Sequence, residues 1–550
     1  MMRLGLIALA GLALAACTSP ETSKTPVALK TGHTIYTGGT IYTGIGDQTV
    51  EAVVVDASGR IIAVAPPVSQ DWDEGEVDLI DLNGAVMFPG FVDGHAHLLG
   101  IGQRELTLNL EGTASVSELV TRIEAELQGL EPGAVLIGRG WIETGWPEGR
   151  MPSAADLDAV SPDNPVILVR ADGHALIANR AALALAGITD ATADPSGGRI
   201  ERSPDGKATG ILIDNAMAPM LALLTTPSEQ DILKAYRVGA AEYASRGWTG
   251  VHNMSVDPGH APLLQRLDGD GAMPLRLHNG FDESGFEIAA KRQYETDTIT
   301  NRAVKIYMDG ALGSRGALLI EPYADRPHTS GLSLMHPDEL DRVMQRAALE
   351  NVQLSIHAIG DLANRYILDT FEAGGYGADK RWRIEHAQIL LVDDISRFGA
   401  LGLIASMQPS HAIGDLKFAP DRLGMDRLRG AYAWRALLDS GALVIGGSDA
   451  PVEVGSPLIE FYAAVTRKDL TGFSAEGWHP EQALSRAQAL ALFTTAPAFA
   501  AFMEDDLGTI EIGKIADFTV FDRDLMTVPE AEILDAKVVM TVVQGEIIRP

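Results

Sequence analysis

A closed (β/α)₈ TIM-like barrel of the α/β class, with a long insertion after its first strand and a small β-sandwich built from both chain ends, is the fold the sequence predicts. Three observations predict it. Short apolar, β-rich runs alternate with helical stretches, and eight such runs fall between residues 86 and 448. Segments of alternating, β-branched sequence broken by Gly and Asp lie near both ends of the chain. A length of 550 residues exceeds one ordinary domain yet suits a barrel with insertions.

Taken in order, residues 1–17, MMRLGLIALAGLALAAC, carry one arginine and then an apolar run. The run is about half to two-thirds of the ~20 residues a membrane-spanning helix requires, so it reads as a signal peptide. Its end, Leu-Ala-Ala-Cys, resembles the bacterial lipobox, in which the cysteine becomes the lipidated first residue of the mature protein. Cys17 is the only cysteine in the chain, so no disulfide competes for it. The alternative is ordinary secretory cleavage beside a chance cysteine. Residues 18–30, opening TSPETSKTP, form a polar tether. Thr18 in place of Asp points, by the same resemblance, to outer-membrane retention. The expected location is the bacterial cell envelope, periplasmic or outer-membrane, with lipid as the only membrane contact.

Residues 31–88 supply the first part of the sandwich through HTIYTGGTIYTG, AVVVDASGRIIAVAPP and VDLIDLNGAVMFPG. Residues 501–550 supply the second through GTIEIGKIADFTVFDRD and AKVVMTVVQGEIIRP. Between them, 89–500 is expected to be the barrel. Its strands are placed near 86–93, 248–252, 274–278, 303–308, 352–357, 382–386, 403–408 and 443–448. Helical sequence such as DELDRVMQRAALEN lies between several of them. Residues of about 100–245 then form the insertion, with strand and helix content of their own. The composition, 46% apolar and 21% charged, allows a large core. A net charge of −31 argues against nucleic acid and against a polybasic membrane contact, leaving a small-molecule substrate as the expected partner. No motif specifies an oligomeric state.

In barrels of this kind the reacting groups sit where strands end at the C-terminal face. The first strand finishes in GFVDGHAHL with Asp93, His95 and His97, the fifth with His357, the sixth with His386, and the eighth with Asp449. A single buried histidine usually just satisfies a hydrogen bond. Four imidazoles and a carboxylate at one rim are suitable ligands for zinc or a similar first-row ion. Lys305, set among apolar residues in AVKIYM, adds to them. Burial there lowers its pKa towards the neutral amine, which can take up CO₂ as a carbamate; pairing with a carboxylate or snorkelling out is the alternative.

The segments GFVDGHAHL, DGHALIANRAAL, VKIYMDGALGSRGALL, SIHAIGD, RIEHAQ, GSDAPV and LGTIEIGKIADFTVFD together resemble the amidohydrolase superfamily, in its amidohydrolase family 3 branch with N-substituted formamide deformylase. The resemblance implies His95 and His97 on one metal and His357 and His386 on a second. It implies two Zn²⁺ bridged by carboxylated Lys305, with Asp449 completing the first site. Asp449 is then the general base and later the acid of a metal-assisted hydrolysis of a C–N bond in an amide, N-acyl or N-formyl compound. An ester, lactone or phosphotriester hydrolase on the same metals, or a catalytically silent ligand-binding scaffold, are the alternatives.

Beyond the metals, His174 in RADGHALIAN either reaches over the pocket towards substrate or caps a nearby helix. Trp141 and Trp146 either line the pocket or pack under a loop. Arg315 in GALGSRG contacts substrate or forms a salt bridge within its loop, and His411 in MQPSHAIGD is a candidate oxyanion donor. His252, after the second strand, carries no assigned role.

Overall fold

The computed structural model describes residues 31–65, 77–223, 227–474 and 477–549; Cys17 and its lipobox lie outside them. Eight parallel strands form the central sheet: β1 (Phe91–Ala96), β2 (Trp248–Val256), β3 (Arg276–Phe281), β4 (Ile299–Tyr307), β5 (Gln353–Ala358), β6 (Arg383–His386), β7 (Ile404–Met407) and β8 (Val444–Gly446). They neighbour one another in chain order. Most of their residues are buried on both faces, as strands enclosed by helices outside and side chains inside must be. Past the ends of the ladder, β8 returns to β1: Asp449 N donates to His95 O at 2.7 Å and His97 N to Ala450 O at 2.8 Å.

Helices cover the outside by presenting an apolar stripe. Pro337–Glu350, for example, buries Leu340, Val343, Met344 and Ala347, the i, i+3, i+4, i+7 set of one face. It stops at Asn351, whose left-handed backbone (φ +54°) ends the helical ladder.

The continuous apolar run expected as one strand over 86–93 is two strands. Val86–Pro89 pairs antiparallel with Phe518–Phe521, and β1 begins at Phe91. Gly90 marks the division. A Cβ there would stand 2.3 Å from Thr249 Oγ1, so only glycine lets the chain step from one sheet to the other.

Both chain ends contribute to a second eight-stranded sheet, which includes His33–Tyr42, Thr49–Val55 and Ile61–Val64 from one end and Phe518–Phe521, Val538–Val543 and Glu546–Arg549 from the other. These strands hydrogen-bond as one sheet that branches at His33–Tyr42, which pairs with Thr49–Val55, Val77–Asp81 and Val86–Pro89, and that rolls back on itself. Ile61 N reaches Lys514 O at 2.8 Å and Ala516 N reaches Gly59 O at 2.8 Å, closing the roll over a core that includes Tyr36, Val53, Ile61 and Phe518. A buried pair, Arg276 Nε to Asp517 Oδ2 at 2.6 Å, ties it to the barrel.

Between β1 and β2 lies a six-stranded sheet, spanning Leu108–Asn109 to Ala208–Asp214, with its own core of Leu119, Trp141, Leu168 and Ile177. Helices Leu98–Leu106 and Glu229–Ser245 carry the chain out to it and back.

Candidate metal centre

The residues that separate strands place at the C-terminal rim meet in one cluster. The ring centroids of His95 and His97 are 5.4 Å apart, those of His95 and His386 5.1 Å, and those of His357 and His386 4.6 Å. Asp449 Oδ1 lies 3.0 Å from His97 Nε2 and 3.3 Å from His95 Nε2. Lys305 Nζ lies 3.4 Å from His95 Nε2. His386 and Asp449 both hold left-handed backbone, φ +74° and +60°. Non-glycine residues adopt it rarely, and such strain collects where side chains must be aimed.

Three imidazoles are oriented by acceptors behind them. His95 Nδ1 donates to Glu385 Oε2 at 2.5 Å, His97 Nδ1 to Met254 O at 3.1 Å, and His386 Nδ1 to Gln408 Oε1 at 2.8 Å. Each partner accepts, so the proton sits on Nδ1 and the Nε2 lone pair is free for a cation. The fourth, His357, has a buried Nε2 with no hydrogen-bond partner among the described residues, only Asp309 Oδ1 at 3.5 Å. A buried nitrogen left this way fits a site completed by a metal. His95, His97 and Asp449 offer ligand atoms within 4.8 Å of one another, and so do His386, His411 and Asp449. The donors are nitrogens and carboxylate oxygens of the kind first-row divalent ions take.

Electrostatics agree with this reading. Burial holds the His97, His357 and His386 imidazoles below their ordinary pKa, in the neutral form that coordinates. Burial brings Lys305 down to about 8. Burial alone would raise Asp449, but the neighbouring His95 and His97 hold its carboxyl well below the usual range.

The cluster floors a chamber of about 700 Å³, within the usual range for a small-molecule site. His174 enters its wall from the insertion, its ring 5.8 Å from that of His357, with Nδ1 held by Asp214 Oδ1 at 2.8 Å. His411 also lines it. Two expected substrate contacts do not. Trp141 is fully buried in the insertion, its indole N–H donating to Leu168 O at 3.0 Å, and Trp146 packs beside it. Arg315 pairs with Asp325 (Nη2 to Oδ2, 2.7 Å) inside its own loop. Both belong to packing because each polar tip already has a local partner.

Asp93, inside β1, accepts from Ser448 N and Tyr243 OH at 3.0 and 3.1 Å and so joins β1 to the segment that follows β8. The sequence reading missed Glu385, Gln408 and Asp309. Glu385 had a signal: with Arg383 it forms an alternating charged pair inside a fully buried strand, and buried charges must be partnered.

A model of the amidohydrolase family matches residues 78–549. "Putative amidohydrolase YtcJ" of Bacillus subtilis (strain 168) is 32% identical over 513 residues, 92% of this chain and 96% of that protein. N-substituted formamide deformylase of Arthrobacter pascens is 30% identical over 522 residues, 90% of this chain and 94% of its own. Among solved structures, an uncharacterized metal-dependent hydrolase from Pyrococcus furiosus superposes with a TM-score of 0.71 at 28% identity, covering 90% of this chain and all of that one. Fold, site and relatives define a metal-dependent hydrolase acting on a small molecule through a divalent metal. The chain belongs to the amidohydrolase family.

Proposed function

We propose that this hydrolase cleaves a C–N bond of an amide, N-acyl or N-formyl compound. The observation that carries it is the convergence of His97, His357, His386 and Asp449 on the floor of one chamber, with His95 buried directly against them. His95, His97 and Asp449 would hold one ion and His357 and His386 a second, zinc being the default for such ligands. Lys305 is proposed to be carboxylated and to bridge them. Its buried amine faces His95 Nε2 and makes no ion pair among the described residues. When bound, such ions supply an acidified water at neutral pH and a Lewis acid for the scissile carbonyl.

The chain's own groups do the rest. Asp449 takes the proton of the attacking water on a carboxylate oxygen and returns it to the departing nitrogen, as base and then acid. His174, with Nδ1 fixed by Asp214, presents Nε2 to the chamber and can donate to the carbonyl oxygen when protonated. Burial opposes its protonation, but Asp214 raises its pKa overall. The insertion contributes Arg139, Ile142 and His174 to the chamber wall. The deformylase relative and the family name support the C–N assignment. The signal-like segment ending at Cys17 supports an envelope location on a lipid anchor.

The test is turnover of metal-loaded protein on a panel of N-acyl and N-formyl amines and dipeptides. Asp449→Asn should keep most of its metal and lose about 10²–10⁴-fold in kcat. A variant with native kcat would refute the proton-transfer role. Metal-loaded native protein inert towards the whole panel would refute the C–N reading.

A further inference from the structure

The chamber wall contains a guanidinium with no ion-pair partner among the described residues. Arg139 lies on the insertion strand Leu136–Trp141 and lines the chamber. Among the described residues its Nε is buried without a hydrogen-bond partner, and the side chain's one bond is a long contact from Nη2 to Ala171 O at 3.4 Å. Arg139 is half-buried, so its Nε is out of reach of water while the rest of the guanidinium borders the chamber, and in a chain with 74 acidic residues against 43 basic ones no carboxylate among the described residues pairs with it.

Neighbouring charges are already satisfied. Arg170 takes both Glu143 and Asp172, and Asp415 accepts from Gln388 and Tyr432. Glu453, also in the wall, approaches His411 Nε2 at 3.8 Å and makes no ion pair with Arg139 among the described residues. Lys417, also in the wall, makes no ion pair among the described residues, and its ammonium sits 5.9 Å from the Phe473 ring.

Arg139 is also well placed relative to the metal centre. Its Nη2 borders Gly173, where an added Cβ would stand 3.4 Å away. The next residue is His174, whose ring faces His357. One loop therefore joins the free guanidinium to the reacting end of the chamber, and Arg139 itself is fixed on a strand.

We propose that Arg139 is the subsite for a carboxylate on the substrate, so that the amides this enzyme takes are acidic ones of the N-acyl amino acid type. This deepens the C–N hydrolase reading and rests on it for the reacting end alone. The guanidinium would bind the carboxylate through paired N–H donors, with the amide carbonyl directed to the metal floor.

The test compares acid and carboxamide pairs, N-benzoylglycine with N-benzoylglycinamide and N-acetylleucine with N-acetylleucinamide. Binding is measured by calorimetry on the zinc-loaded full chain carrying Asp449→Asn, and kcat/KM on the native chain. Acids should bind roughly 10- to 100-fold more tightly than their amides. Arg139→Met, shown folded by its melting curve, should bring the pairs level, and Arg139→Lys should keep part of the difference. Equal binding of acid and amide, tighter binding of the amide, no binding by any probe, or a preference that survives Arg139→Met would overturn the subsite. An acid preference in binding with no turnover keeps the subsite and removes the C–N reading; turnover with no preference does the reverse.

Discussion

Glu385 shows how a single side chain separates coordination from chemistry. It is not itself an expected ligand, yet its Oε2 fixes His95 Nδ1, and its Oε1 lies 2.5 Å from Arg383 Nε. Glu385→Gln keeps the shape but removes the charge that makes His95 a strong donor. Metal affinity should fall about 10- to 100-fold, read by competition with a chromophoric chelator; unchanged affinity would contradict its role. The residues that meet in the cluster were legible because four histidines and an aspartate recur at the ends of several strands, a coincidence that packing alone does not require. Glu385 and Gln408 were not, because a residue acting on another side chain leaves no spacing of its own. Trp141 and Arg315 show the opposite error. Their types suit a pocket, but a carbonyl and a carboxylate close by had already taken their polar ends. Glu460 gives a pH test. Burial raises its carboxyl from 4.5 to about 8 while it accepts from Ser410 N at 3.0 Å. Its folded pKa is the higher one, so its contribution to stability is full below about pH 4.5 and is lost as pH rises through about 8. The melting temperature should therefore decline across that window, and Glu460→Gln should flatten the decline. An equal slope in the variant would contradict the assignment.

At the scale of elements, the seam between β1 and β8 positions half the site. His95 and His97 come from one side of it and Asp449 from the other, with backbone bonds of 2.7 and 2.8 Å across it. Gly447 allows that approach: a Cβ would lie 2.5 Å from His95 N and 2.9 Å from Asp93 Oδ1. Gly447→Ala should open the seam, reducing metal content and turnover while far-ultraviolet circular dichroism changes little. A fully loaded, active variant would count against the seam as the positioning device. The eight strands themselves were visible as apolar runs, because a strand buried on both faces has to be apolar nearly throughout. Their division was harder to see. Residues 86–93 read as one strand because nothing in apolar character changes at Gly90, and only the clash with Thr249 requires the break.

At the scale of the whole molecule, two of the three sheets meet at a single chamber and the third braces them. The barrel supplies the floor, the insertion supplies His174 and Arg139 to the wall, and the rolled sheet braces the barrel through the Arg276–Asp517 pair. Both chain ends were recognisable as β-rich, but the roll was not, since it depends on contacts between Gly59–Ile61 and Lys514–Ala516, more than four hundred residues apart. Metal that binds only the assembled cluster stabilises the native state by mass action. The most direct measurement is elemental analysis of the purified full chain beside His95→Ala/His357→Ala, with the melting temperature of each before and after chelation. The native chain should carry two equivalents of divalent metal, melt lower when stripped and recover on adding zinc, whereas the variant should be depleted and indifferent to the chelator. A native chain that holds no metal and takes none up, or a variant that retains the full complement, would contradict it.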